Sequence, residues 1–115
     1  MLILYKNKKA RECFSSKYRN SWRYPEQVKK KLMATENYIE SFDTFMDIAN
    51  YVPFHLERLK GSRKDEWSIC LGNTGYRVTL IPCDEEKNLL LDGDIILKAK
   101  YIKIVRVTEV SNHYE

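Results

Sequence analysis

No apolar run in this sequence approaches the ~18 residues of a membrane span, and the opening Met1-Leu2-Ile3-Leu4-Tyr5 runs straight into Lys6-Asn7-Lys8-Lys9 rather than into a secretory apolar core. Cysteine is scarce: Cys13, Cys70 and Cys83 are odd in number and stand in no metal-ligand spacing. A disulfide framework is thereby excluded, and a reduced, cytoplasmic location with small buried thiols is the expectation. Only four glycines and three prolines occur in 115 residues, which excludes a low-complexity or linker-rich chain. The P-loop, the dinucleotide-binding glycine fingerprint, the nucleophile elbow and every metal-site pattern are missing as well, so most enzyme classes fall away and no metal or cofactor is expected.

What is present suits one compact domain over residues 1–115, since 115 residues support a single core and are too few for two ordinary ones. The net charge of +4 is unevenly spread. Ten Lys and Arg side chains against Glu12 and Glu26 give residues 1–31 a charge of +8, and the remaining 84 residues sum to −4. A surface that meets a polyanion, RNA or an acidic protein segment, fits that asymmetry; a solvated helix face fits it equally well.

Leu2–Tyr5 could form a short strand. Residues 8–20 read as a first helix with Ala10, Cys13 and Phe14 inward. Pro25 suits the start of a second helix, in which Val28, Leu32, Thr35, Ile39 and Phe42 share one face while Lys29, Lys30 and Lys31 lie beside and opposite that stripe. Residues 43–50 give a short third helix with Phe45, Ile48 and Ala49 inward. The pattern then alternates: Trp67, Ile69 and Leu71 share a face, as do Tyr76, Val78 and Leu80, and Gly72-Asn73-Thr74-Gly75 is a hairpin turn between them. An acidic loop over 83–88, a small hairpin over 89–97 with an Asp92-Gly93 turn, and a β-branched final strand over 101–110 complete the expectation. The fold class is α+β, with helices packed on an antiparallel sheet.

One polar stretch stands out, Glu57-Arg58-Leu59-Lys60-Gly61-Ser62-Arg63-Lys64-Asp65-Glu66-Trp67-Ser68, followed by Arg77 on the next strand and His113-Tyr114 near the end. Cleaving RNA requires a deprotonated 2′-hydroxyl, a stabilised pentavalent phosphate and a protonated 5′-oxygen. Lys, Arg, His, Tyr and Glu supply all three by acid–base action and a cationic clamp.

The run Leu59-Lys60-Gly61-Ser62-Arg63-Lys64-Asp65-Glu66-Trp67-Ser68-Ile69, then Gly75-Tyr76-Arg77-Val78, resembles the HigB subgroup of RelE-type toxins, with its L-K-G-x-R-x-x-x-W-S stretch and following W/Y-R strand. Glu109-Val110-Ser111-Asn112-His113-Tyr114 is similar to the short tail that ends many of them. The resemblance covers about residues 25 to 115. It implies two helices across a twisted antiparallel sheet, ribosome-dependent cleavage of mRNA, and neutralisation by a cognate helix-turn-helix antitoxin of the HigA type. It further implies that Lys60 and Arg77 hold the scissile phosphate, that Arg63, with Lys64 beside it, holds the RNA backbone, and that His113 and Tyr114 transfer a proton or stack on a base. Lys29, Lys30 and Lys31 are the expected outer RNA contacts.

This chain departs from the family pattern in two places. Glu57 stands where some HigB toxins carry a histidine, with His55 two positions off, so Glu57 and His55 form the alternative acid–base pair. Cys70 replaces an expected basic residue. The segment 87–100 exceeds the shorter family members and has no derived role. Two rival readings are a ParE-type toxin that poisons DNA gyrase, against which Lys60, Arg77, His113 and Tyr114 argue together, and a non-catalytic basic module that binds RNA or protein.

If the basic N-terminal third meets RNA, binding to ribosomes should weaken steeply between ~50 and ~200 mM salt through counterion release. Replacing Lys29, Lys30 and Lys31 together should weaken it further without unfolding the domain; sedimentation with ribosomes checks both.

Overall fold

The computed structural model describes residues 1–112 and shows a mixed α+β fold built on one five-stranded sheet. In chain order the elements are β1 (Leu2–Tyr5), α1 (Lys8–Phe14), α2 (Glu26–Ser41), α3 (Phe45–Asn50), β2 (Glu57–Arg58), β3 (Trp67–Cys70), β4 (Tyr76–Cys83), α4 (Ile95–Lys98) and β5 (Ile104–Asn112). The sheet order is β1-β5-β4-β3-β2. No helix among the described residues is long and apolar enough to cross a membrane.

The sheet is not wholly antiparallel, as the sequence led us to expect. β1 lies parallel to β5, with Leu2 beside Ile104 and Tyr5 beside Val107, while the other three pairings are antiparallel. A parallel pair needs a long connection, and here it is the whole intervening chain, helices and the strands β2, β3 and β4 together.

Alternation decides which face of the sheet is covered. Trp67, Ile69, Val78, Leu80, Val105 and Val107 are buried in one cluster with Phe14, Val28, Leu32, Ile39, Phe45 and Ile48 from the helices. The intervening residues Ser68, Cys70, Arg77, Thr79, Arg106 and Thr108 therefore point to the opposite face. α2 shows the expected stripe, with Val28, Leu32, Thr35 and Ile39 buried and Phe42 packed against the cluster half-buried. Pro25 sits just before its first turn, at the cap position.

Three expected boundaries moved, each for a local reason. The helix expected over 8–20 ends at Phe14, and a 3₁₀ turn covers Ser16–Ser21. The buried carboxylate of Glu36 accepts from both the backbone N–H and the hydroxyl of Ser16, and the Ser15 hydroxyl accepts from the Lys17 N–H, so these serines cap a new turn instead of continuing the old one. The hairpin expected over 89–97 does not close. Leu89 forms a single bridge to Cys83, and Asp94 caps α4 by accepting from the Leu97 N–H, which carries Ile95 into the core. The final strand starts at Ile104 rather than 101, because Ala99–Tyr101 form a 3₁₀ turn and the Ile102 carbonyl accepts from the Phe45 N–H at the start of α3.

Trp67 is buried, and its ring meets Phe45 edge-on with centroids 5.5 Å apart. Its aromatic partner comes from α3, whereas packing near Leu32 or Ile39 of α2 was expected; all three belong to one core cluster. Truncation of Trp67→Ala should cost about 3–5 kcal/mol, read from the midpoint shift in urea unfolding.

Candidate active site on the uncovered sheet face

The uncovered face carries a cavity of about 250 Å³ at the β3–β4 turn, lined by Glu57, Ser68, Cys70, Tyr76, Arg77 and the turn residues Gly72, Asn73 and Gly75. Its walls follow from strand register. Arg77 pairs with Cys70 on one side and Ser111 on the other, and Ser68 pairs with Glu57. Glu57 and Arg77 are thus two strands and two residues apart, a backbone separation of ~12 Å from ordinary sheet spacings. Side chains reaching inward from both leave room for a phosphate between them.

Electrostatically the two are complementary without cancelling. Neither Glu57 nor Arg77 forms an ion pair among the described residues. The Arg77 Nε is buried and makes no hydrogen bond among them, an unmet donor at the cavity that an anion could satisfy. Tyr76 is braced from the helical side by an edge-on contact with Tyr24 at 5.7 Å. The Tyr24 hydroxyl donates to the Cys13 carbonyl at 3.1 Å, and burial, reinforced by Cys13, pushes its pKa well above the usual phenol value.

The lysines expected to act together on α2 separate. Lys29 approaches Glu26 at 4.0 Å, and Lys30 is exposed. Lys31 lies across the β3–β4 turn: a Cβ on Gly72 would come within 2.9 Å of the Lys31 Cε. Gly72 also has a left-handed φ of +58°, so two constraints select glycine there. Lys31 is the α2 cation at the rim of the Arg77 cavity.

Arg63 is already matched. Its guanidinium donates to both Glu66 oxygens at 2.7 and 3.0 Å and approaches Glu109 at 2.7 Å. Thr108, at the β-bulge in β5, donates to Glu66 at 2.8 Å and lies 2.9 Å from the Thr79 hydroxyl. The hydrogen bond from Arg63 comes first among the causes that hold Glu66 below the usual carboxylate pKa. Arg63 thus ties the 57–66 segment to β5.

Lys60 is not among the residues lining the Arg77 cavity. The Leu59 N–H donates to the Glu66 carbonyl, which continues the β2–β3 pairing and leaves the neighbouring Lys60 about five residues along the strands from the Cys70–Arg77 pair and two strands across, ~19 Å between backbones. Lys60 and Lys64 are exposed on the loop around the 3₁₀ turn Gly61–Arg63. His55 is exposed with a left-handed φ of 47° and is not among the residues lining the cavity. His113 and Tyr114 lie outside the described residues. Among the described residues, no group of three or more His, Cys, Asp or Glu side chains could hold a metal ion. Ser68, Tyr76 and Asn73 were given no role in the site from the sequence, although alternation opposite Trp67 was enough to place Ser68 on this face.

Because the folded pKa of Glu66 lies below its unfolded value of ~4.3, the ionised carboxylate stabilises the fold fully above that value, and the gain is lost as pH falls through the folded pKa. Glu66→Gln should therefore lose less stability than wild type on going from about pH 6 to about pH 3, as followed by urea unfolding.

No family model matches the chain, and no curated protein matches it.

Proposed function

We propose that the chain is a ribonuclease toxin of the HigB/RelE type, cutting mRNA on the ribosome by attack of the 2′-hydroxyl on the adjacent phosphate. The observation that carries this reading is the pairing of Arg77 and Glu57 across one open cavity without an ion pair between them. Arg77 is the phosphate clamp. Glu57 takes the proton from the 2′-hydroxyl, the 2′-oxygen bonds to phosphorus, and the P–O5′ bond breaks. The departing 5′-oxygen takes its proton from His113 or Tyr114, leaving a 2′,3′-cyclic phosphate. Support for that last assignment is that Asn112, directly before His113 in sequence, pairs with Tyr76 at the cavity wall.

A carboxylate base and a guanidinium clamp suffice for this chemistry without a metal. Lys31, Lys30, Lys60 and Lys64 are the outer cations that meet the RNA backbone or the ribosome. The RelE-like arrangement of helices laid on one sheet face, leaving the other for RNA, belongs to the same proposal, as does neutralisation by a helix-turn-helix antitoxin. The +8 charge of residues 1–31 favours such polyanionic and acidic partners.

Arg77→Ala should lower the rate of cleavage of ribosome-bound mRNA ~10²-fold or more, and Glu57→Gln ~10²–10⁴-fold, with folding intact by circular dichroism. Primer extension on a programmed ribosome measures both. Full-rate cleavage by Glu57→Gln would remove Glu57 from the role of base, and full-rate cleavage by Arg77→Ala would sink the site itself.

A further inference from the structure

The segment 87–100, for which the sequence offered no role, builds a second cavity on the same sheet face. After β4 the chain turns at Asp84, whose side chain accepts from the N–H groups of Glu86 and Asn88, and returns so that Leu89 bridges Cys83 and the Leu90 N–H donates to the Pro82 carbonyl. It thereby occupies the side of β4 that β3 has vacated, since β3 begins only opposite Leu80. Arg58 fixes the return: its guanidinium stacks over Trp67 at 5.4 Å and donates to the carbonyls of Leu91 and Gly93 at 3.0 and 3.1 Å.

The result is a cavity of about 300 Å³ with an apolar wall, a cationic wall and a further polar lining of Ser62, Arg63, Asp65, Glu66 and Thr108. Ile81, Leu89 and Leu91 form the apolar wall. Lys6 and Arg106 form the cationic one; neither has an acidic partner in an ion pair among the described residues, and Arg106 is oriented by donating to the Lys6 carbonyl at 3.2 Å. Glu66, which also lines the cavity, is bound by Arg63 and Thr108 and is further stabilised as a carboxylate by the Lys6 charge. Asp65, one of whose oxygens is buried without a hydrogen bond among the described residues, also lines the cavity and offers an acceptor.

An anionic group beside a flat, largely apolar body with N–H donors is the chemistry of a nucleotide. The volume is at the lower end of small-ligand sites, ~300–1,000 Å³. Ile81 lies four residues from Arg77 on β4 and on the same face, ~13 Å away, a stretch that a few nucleotides of extended strand would span. We infer that this cavity is a second subsite for the RNA strand held at Arg77, taking one flanking base against Ile81, Leu89 and Leu91 with its phosphate between Lys6 and Arg106. The inference rests on the RNA-cleaving reading of the Arg77 cavity.

The test is fluorescence anisotropy with a labelled RNA hexamer carrying 2′-O-methyl groups, which blocks cleavage, titrated at several salt concentrations against wild type, Arg77→Ala, Lys6→Ala/Arg106→Ala and Leu91→Asp, with adenosine monophosphate as competitor. The double variant should bind about tenfold or more weaker, with the salt slope reduced by roughly 1.4, two phosphate-contacting cations at ~0.7 each for a single strand. Leu91→Asp, at a partly exposed position, should also weaken binding while melting like wild type. Adenosine monophosphate should compete only weakly. If both variants bind as wild type while Arg77→Ala loses affinity, the second subsite is refuted and the RNA reading stands. If Arg77→Ala also binds as wild type, the RNA face and its second subsite fall together. Adenosine monophosphate binding as tightly as the hexamer would make the cavity a free-nucleotide site and overturn the strand assignment.

Discussion

The fold depends on a one-sided sheet. The central strands β3, β4 and β5 alternate residues between the two faces, and each helix contributes buried residues to the same apolar cluster, so the core forms once, on one side of the sheet. Trp67 and Phe45 meet near the centre of that core, where the loss of either ring would leave a hole that the surrounding strands cannot close. Every functional residue on the uncovered face inherits its position from this arrangement. Arg77 sits between Val78 and Tyr76 because β4 alternates, and it faces outward because Val78 and Leu80 are committed inward.

A polar face in the middle of a sheet requires its own order, and Arg63 supplies it. The links from Arg63 to Glu66 and Glu109, with Thr79 and Thr108 filling the remaining hydrogen bonds, run from the 57–66 segment across β4 to β5 and satisfy polar groups that are partly shielded from water. This bar divides the face into the Arg77 cavity and the Lys6–Arg106 cavity. It also holds the 57–66 segment against β5. Lys60, exposed on the neighbouring loop, is not among the residues lining the Arg77 cavity.

The alternation of Trp67-Ile69-Leu71 and of Val78-Leu80, and the 3–4 spacing on α2, were legible in the sequence because burial imposes a period on each element. The turn that ends α1 was harder to read, since the carboxylate that binds Ser16, Glu36, lies twenty residues away. The parallel β1–β5 pair has no local signal at all. Of the site, Arg77 and Glu57 could be named from chemistry and from the family resemblance. Their sharing of one cavity could not, because it follows from the register of three strands. Arg58 passed unnoticed for a similar reason: its work is to brace a segment more than thirty residues further along the chain.

The central claim is that the uncovered face cuts RNA by using the substrate's own 2′-hydroxyl. The most direct measurement is to map the ends of an mRNA cleaved on a programmed ribosome, alongside an otherwise identical mRNA with a 2′-deoxy sugar at the scissile nucleotide. The account predicts a 2′,3′-cyclic phosphate on the intact substrate and no cleavage of the deoxy one; cleavage at that same bond in the deoxy substrate would contradict it.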